Sequence, residues 1–248
     1  MPTYRLDLAY DGSGFRGYAR QEGLRTVQGE LEAGLLTLLS GPVSTSVAGR
    51  TDAGVHALGQ VVSFEQPDDI DLDRLRRGLN GILGPEISVL EASLAPDGFD
   101  ARFSATWRRY RYLIDTGAAQ DPLTRGHVWH VGRDLDLVAM QEVAGQLVGE
   151  HDFGSFCRSV PGKSNVRRLE ELTVAAGRPL EVWARANAFC HQMVRSIVGY
   201  LYDVGRGFSD SAHVTAVLEA CDRAAIATVA PPHGLTLWAV GYEGIGLA

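Results

Sequence analysis

An α+β protein made of two similar halves is the fold the sequence predicts, and three observations carry it. Apolar residues recur at helical spacing in two segments of the first hundred residues and in three later ones. Segments of alternating apolar and polar residues flank them. The resulting order is β-α-β-β-α-β over 3–94 and β-α-β-β-α-α-β over 107–242, the split βαβ or ferredoxin-like pattern and a variant of it. Two such sheets, each covered by helices on one face, can join side by side. A division near residues 95–106 gives domains 1–105 and 106–248, with the functional cleft expected between them.

The elements follow in order. Residues 3–10 (TYRLDLAY) alternate as a strand. Val27, Leu31, Leu35, Leu38 and Leu39 place a helix over about 26–40, with Thr26 as its N-cap. Strands are expected at 43–49 and 60–65, and a helix follows with Asp71 as cap and Leu72, Leu75, Leu79 and Ile82 on its apolar side. Residues 86–94 alternate again. In the second half a strand covers 107–115, and Leu137, Met140, Val143 and Leu147 mark a helix over 134–148. Strands at 167–176 and 180–188 flank a Gly-Arg-Pro turn. A helix over 190–204 carries Met193, Ile197, Leu201 and Val204 on one side; a short helix at 211–220 precedes a last strand at 235–242.

Composition narrows the class. The chain has 248 residues, 45% hydrophobic and 21% charged, an ordinary globular balance. No apolar run has the length of a membrane span, and no apolar segment precedes the first acids, so neither a membrane anchor nor a secretory signal is expected. Three widely spaced cysteines, Cys157, Cys190 and Cys221, argue against a disulfide framework and for a reducing cytoplasm. The net charge of −7 taken alone argues against a nucleic-acid binder. Two windows run the other way: Arg102–Arg111, with four arginines among aromatics, and Cys157–Leu169, with Arg158, Lys163, Arg167 and Arg168 and no acid. They read either as solvated faces or as guanidinium forks for phosphate oxygens.

Two motifs are decoys. Gly12-Ser-Gly-Phe-Arg-Gly17 has the spacing of a dinucleotide loop, but the helix begins only at Thr26, too late for its N-terminus to meet a pyrophosphate. His127, His130 and the Cys190-His191 pair have no neighbours at metal-ligand spacing, so no metal site is expected. The stretch GRTDAGVHALGQ (49–60) is different. Asp beside Gly is most often a turn residue. Here Arg50 stands two residues from Asp52 and can pair with its carboxylate, keeping it ionised and aimed. Gly49, Gly54 and Gly59 leave room for close approach of a ligand. Such a carboxylate is a poor proton donor and a good nucleophile. No second acid stands close in sequence, as the usual glycosidase pair requires.

GRTDAGVHALGQ resembles the signature of the bacterial tRNA pseudouridine synthase A family, which acts on the anticodon stem-loop. The resemblance extends in family order through LAYDGSGFRG, TVQGELEAGL, FDARFSATWRRYRYLI, HDFGSF, ANAFCHQMVRSIVG and APPHGLTLWAVGY, nearly the whole chain. It implies two ferredoxin-like halves with a joined sheet, and a catalytic aspartate at Asp52. It implies that Arg50 pairs with that carboxylate and that Arg195 approaches it from the second half. Tyr112 is implied to pack against the target base and is a candidate general base; Leu235 is implied to wall the base pocket. The implied reaction isomerises uridine to pseudouridine at tRNA positions 38–40, with tRNA as partner, a homodimer as the assembly and no cofactor. The chain departs from the family pattern at Tyr18 and Ala19, where Trp and Gln are usual; Tyr18 can still stack on RNA, while Ala19 lacks the amide. The alternative reading is a non-catalytic RNA-binding module, since ferredoxin-like sheets bind single strands; the aromatic signature of such modules is absent.

Overall fold

Strand β1 (Thr3–Tyr10) is the centre of the first sheet, antiparallel to β3 (His56–Glu65) on one edge and to β4 (Ile87–Leu94) on the other. The free edge of β3 is shared: β2 (Thr45–Val47) pairs antiparallel with 62–64, and β10 (Leu235–Tyr242) pairs parallel with His56 and Ala57. Helices α1 (Val27–Leu38) and α2 (Leu72–Leu83) cover this sheet. Thr26 and Asp71 cap them, each side chain accepting a main-chain N–H three residues on. Their interior glycines let the two helices close up. A β-carbon at Gly34 would stand 3.2 Å from Leu79 Cδ2, and one at Gly78 would stand 2.8 Å from Leu38 Cδ1. Leu31, Leu35 and Leu79 are wholly buried there, each burial favouring the fold by about 1.5–3 kcal/mol. Leu83, not Ile82, completes the apolar side of α2; Ile82 is 47% exposed, because i+4 steps from Leu75 and Leu79 reach 83.

These are the elements of a computed structural model that describes residues 1–39, 41–67, 69–158, 160 and 162–244. The last residue of the helix expected over 26–40, two residues of the second basic window and positions 245–248 lie outside the described residues. The chain divides into two units, Met1–Thr106 with the segment from Thr236 on, and Trp107–Leu235. The division expected at 105/106 counts the last strand with the second half. By its contacts that strand lies in the first unit, because it pairs with β3 there.

The second unit holds β5 (Ala105–Asp115, from Trp107 on), β6 (Trp129–His130), β7 (Gly149–Asp152), β8 (Val166–Ala175) and β9 (Leu180–Ala186). Its order is β5-β9-β8-β7, antiparallel throughout, with β6 added parallel to the end of β5. Helices α3 (Leu137–Leu147), α4 (Met193–Gly205) and α5 (Val214–Ala220) belong to it. The expected one-sided burial of α4 is not what forms: Met193, Val194, Ser196, Ile197, Val198, Tyr200 and Leu201 are all buried. The segment before β10 crosses the helix so closely that a β-carbon at Gly199 would fall 2.1 Å from the Thr228 carbonyl oxygen. The class is thus mixed α and β, with ten strands and five α-helices among the described residues.

Two expectations change. Cys157 and Cys190 are bonded sulfur to sulfur, and Cys221 alone is a free thiol. Spacing hid this because folding brings the two segments together: the Arg158 amide donates to the His191 carbonyl at 3.0 Å. Tyr18 is 1% exposed and packs beside Tyr10, so it is a core residue and presents no ring for stacking on RNA. No helix among the described residues is long and apolar enough to cross a membrane.

Candidate active site

The loop that bears Asp52 joins β2 to β3 in the first unit, and its main chain is held at Ala48, Gly49, Thr51, Asp52 and Val55. Gln60, wholly buried on β3, grips Gly49 at both polar atoms: Nε2 donates to the carbonyl at 2.7 Å, and Oε1 accepts the amide at 3.4 Å. Gln60 Nε2 also donates to the Tyr10 hydroxyl at 3.2 Å. That hydroxyl shares a hydrogen bond of 2.8 Å with Thr51 Oγ1. The Tyr18 amide donates to the Thr51 carbonyl at 3.0 Å. The Val55 amide then closes a turn on the Asp52 carbonyl at 3.1 Å, with Gly54 at φ +78° in its third position, where a type II turn favours glycine. Asp52 therefore does stand at a turn, closed on its main-chain carbonyl. Its side chain is half-buried at the first corner.

The Gly12–Gly17 segment explains itself here. A β-carbon at Gly12 would lie 2.0 Å from the Val55 carbonyl oxygen, and one at Gly17 would lie 3.1 Å from that of Thr51. The glycines let this segment lie directly on the Asp52 loop; the Gly12 amide donates to His56 Nδ1 at 3.1 Å. Gly59 likewise faces the protein interior, since a β-carbon there would meet the Trp238 carbonyl oxygen at 2.4 Å. The room expected for a ligand at Gly59 is thus taken by the chain itself, and the main-chain polar atoms of Gly49 are engaged by Gln60.

Arg50 is exposed, and among the described residues it forms no ion pair with Asp52. The expected pairing is replaced by geometry: the main chain is pinned on both sides of residue 50, and that side chain points to solvent.

Tyr112, Arg195 and Leu235 come together in the second unit. Tyr112 is fully buried on β5, donates its hydroxyl to the Pro231 carbonyl at 2.8 Å, and meets the Trp129 ring edge-on. Burial pushes its phenol far above the ordinary tyrosine value, and the nearby Arg195 guanidinium only partly opposes this. Such a hydroxyl is a neutral donor near neutral pH, which is not the state of a general base. Arg195, in the first turn of α4, donates Nε to the Ala230 carbonyl at 2.8 Å and accepts the Ala230 amide on its own carbonyl. Leu235 follows Gly234 against Tyr112 and is 5% exposed. Asp52 and Arg50 belong to the first unit.

Sequence reasoning missed Arg223. It donates to Ser196 Oγ and, at 3.4 Å, to Gln192 Oε1, tying a single helical turn to the start of α4. Burial, and then the Arg195 charge, hold its guanidinium below the ordinary arginine value.

Three of the four arginines of the first basic window are engaged within the protein, while Arg102 is exposed. Arg108 donates to the Asn187 carbonyl, Arg109 pairs with Glu171 at 2.8 Å and lies over Trp183, and Arg111 faces Glu181 at 3.9 Å. The carboxylates arrive from β8 and β9, far off in sequence. In the second window Arg158, Lys163 and Arg168 remain exposed.

Comparison with known proteins makes this α+β chain a pseudouridine synthase by class. A family model described as tRNA pseudouridine synthase matches residues 143–243. A tRNA pseudouridine synthase A of Frankia casuarinae is 49% identical over 96% of this chain and 88% of its own. That of Streptomyces griseus is 46% identical over 98% and 89%, and that of a Jannaschia species is 43% identical over 98% and 96%. The chain belongs to the tRNA pseudouridine synthase A family. The alternative of a non-catalytic RNA-binding module gives way to an enzyme.

Proposed function

We propose that the chain forms pseudouridine in the anticodon stem-loop of tRNA, at positions 38–40, with Asp52 as its single reacting carboxylate. Isomerisation of uridine in tRNA is the activity of its family. The reaction breaks the N-glycosidic bond, joins C5 of the base to the same ribose carbon, and releases the C5 proton, so it consumes no external reagent. The observation that carries the role of Asp52 is the clamping of its loop: Gly49, Thr51 and the 52–55 turn are each hydrogen-bonded in place around one half-buried carboxylate. A reacting group held in this way does not have to be ordered in the transition state.

Arg195 and Leu235 supply charge and an apolar wall to the target nucleotide in this reading, and the fully buried Tyr112 packs behind them as their support. Arg50, Arg158, Lys163 and Arg168 contact phosphates. Those contacts offset the few kcal/mol needed to turn the uridine out of its stack. The enzyme works in the cytoplasm as a homodimer. The deciding experiment is tritium release from C5-labelled uridine in tRNA transcripts. Asp52→Asn is expected to fold and bind tRNA yet release none; turnover by that variant, free of contaminating enzyme, would overturn the assignment.

A further inference from the structure

We propose that Tyr10, acting with Gln60, is a positioning residue for Asp52: a buried relay runs from the Gln60 carboxamide through the Tyr10 hydroxyl to Thr51, the residue immediately before the carboxylate. The inference rests on the role of Asp52 given above. Three observations support it. The relay is continuous, at 3.2 Å from Gln60 Nε2 to the Tyr10 hydroxyl and 2.8 Å from there to Thr51 Oγ1. It is dry: Gln60 is wholly buried, Tyr10 is 4% exposed and Thr51 is 7% exposed. Its first link also has a direction: a carboxamide NH₂ can only donate, so the Tyr10 oxygen accepts from Gln60, while in the bond to Thr51 Oγ1 either oxygen can donate. Burial raises the Tyr10 phenol to about 12, so the hydroxyl keeps its proton at every working pH.

The relay anchors to rigid structure at both ends. Tyr10 ends β1 and Gln60 lies within β3, and those strands are paired along most of their length. Gln60 fixes Gly49 on one side of Asp52, and Tyr10 fixes Thr51 next to it. Removing the Tyr10 hydroxyl frees the Thr51 side chain and leaves both β-strands paired. The expected defect is therefore a misplaced carboxylate, not a lost fold or a lost tRNA surface.

The test is the single-turnover rate of tritium release with enzyme in excess, beside tRNA affinity by filter binding and the thermal midpoint. Tyr10→Phe and Thr51→Val, both near-isosteric, are expected to slow the chemical step by about tenfold to a hundredfold. Their tRNA affinity is expected to stay within about twofold of the parent. Thr51→Ser keeps the hydroxyl and is expected to recover most of the rate. The double variant is expected to be no slower than the slower single one, because the two substitutions break the same link. Unchanged rates in both single variants, a Thr51→Ser variant as slow as Thr51→Val, or losses that multiply in the double variant would each overturn the proposal. Should Tyr10→Phe not fold, the Thr51 pair decides. Asp52→Asn, run in parallel, separates the two readings. If it is inert while the relay variants are fast, only the positioning role fails; if it turns over, both fail.

Discussion

Gly234 lies flat against the Tyr112 ring: a β-carbon there would stand 2.6 Å from Cζ and 2.9 Å from the hydroxyl oxygen. The ring cannot give way easily. Its hydroxyl is tied to Pro231 and its edge meets Trp129. Gly234→Ala is therefore expected to destabilise the protein by about 1–3 kcal/mol through overpacking and to lower turnover, since Leu235 and Tyr112 move together. Thermal denaturation checks the first effect and tritium release the second. A variant that melts at the parent temperature would show that Tyr112 has slack at this contact.

Gly12 makes the same kind of contact with the main chain. Its absent β-carbon leaves space for the Val55 carbonyl, which a methyl group would approach to 2.0 Å. Gly12→Ala is expected to cost about 2–3 kcal/mol and to displace the Asp52 loop, so activity falls with stability. Gly81 gives the contrast. It lies inside α2, where an added β-carbon would meet nothing within 4 Å. Gly81→Ala is expected to stabilise by about 0.5–1 kcal/mol with turnover unchanged. Urea titrations of both variants, alongside rates, test the pair.

His233 precedes Gly234 in the turn before β10. Burial holds its imidazole below the ordinary histidine value, a main-chain hydrogen bond with Val128 opposes this, and His127 adds to the lowering. A depressed histidine means that the unfolded chain binds the extra proton first. The neutral form's stability contribution is complete above the unfolded value of about 6.5 and is lost as pH falls below it toward the folded value. Stability is thus expected to decline on acidification below about pH 6.5, and His233→Gln is expected to flatten that decline. Denaturant midpoints between neutral and mildly acid pH measure it; parallel curves for the two proteins would exclude His233 as the cause.

Much of the fold was legible in the sequence because it depends on local periodicity. The caps Thr26 and Asp71, the apolar steps of α1 to α3, and the alternation of β1, β4, β5 and β9 are properties of neighbouring residues. Where periodicity is too short it is silent: β6 has two residues and β7 four. Ile82 and Leu83 are both apolar neighbours, and only packing chose between them.

For the candidate site, the motif itself singled out Asp52, and the order of six further blocks tied Tyr112, Arg195 and Leu235 to a family and a reaction. Those are matters of residue identity and order, which a chain carries before it folds. What surrounds them is not. That Arg109 and Arg111 face Glu171 and Glu181, that Cys157 meets Cys190, that Tyr18 is buried, and that the Gly12–Gly17 segment lies on the Asp52 loop are all contacts between distant positions. So is the grip of Tyr10 and Gln60 on residues 49–51. A hydrogen bond reaches about 3 Å and a glycine contact less than about 4 Å. Interactions so short are decided only when tertiary structure brings the partners to one place. The sequence by itself thus determined the family and singled out the carboxylate we assign to its reaction, and the tertiary structure decided what holds that residue still.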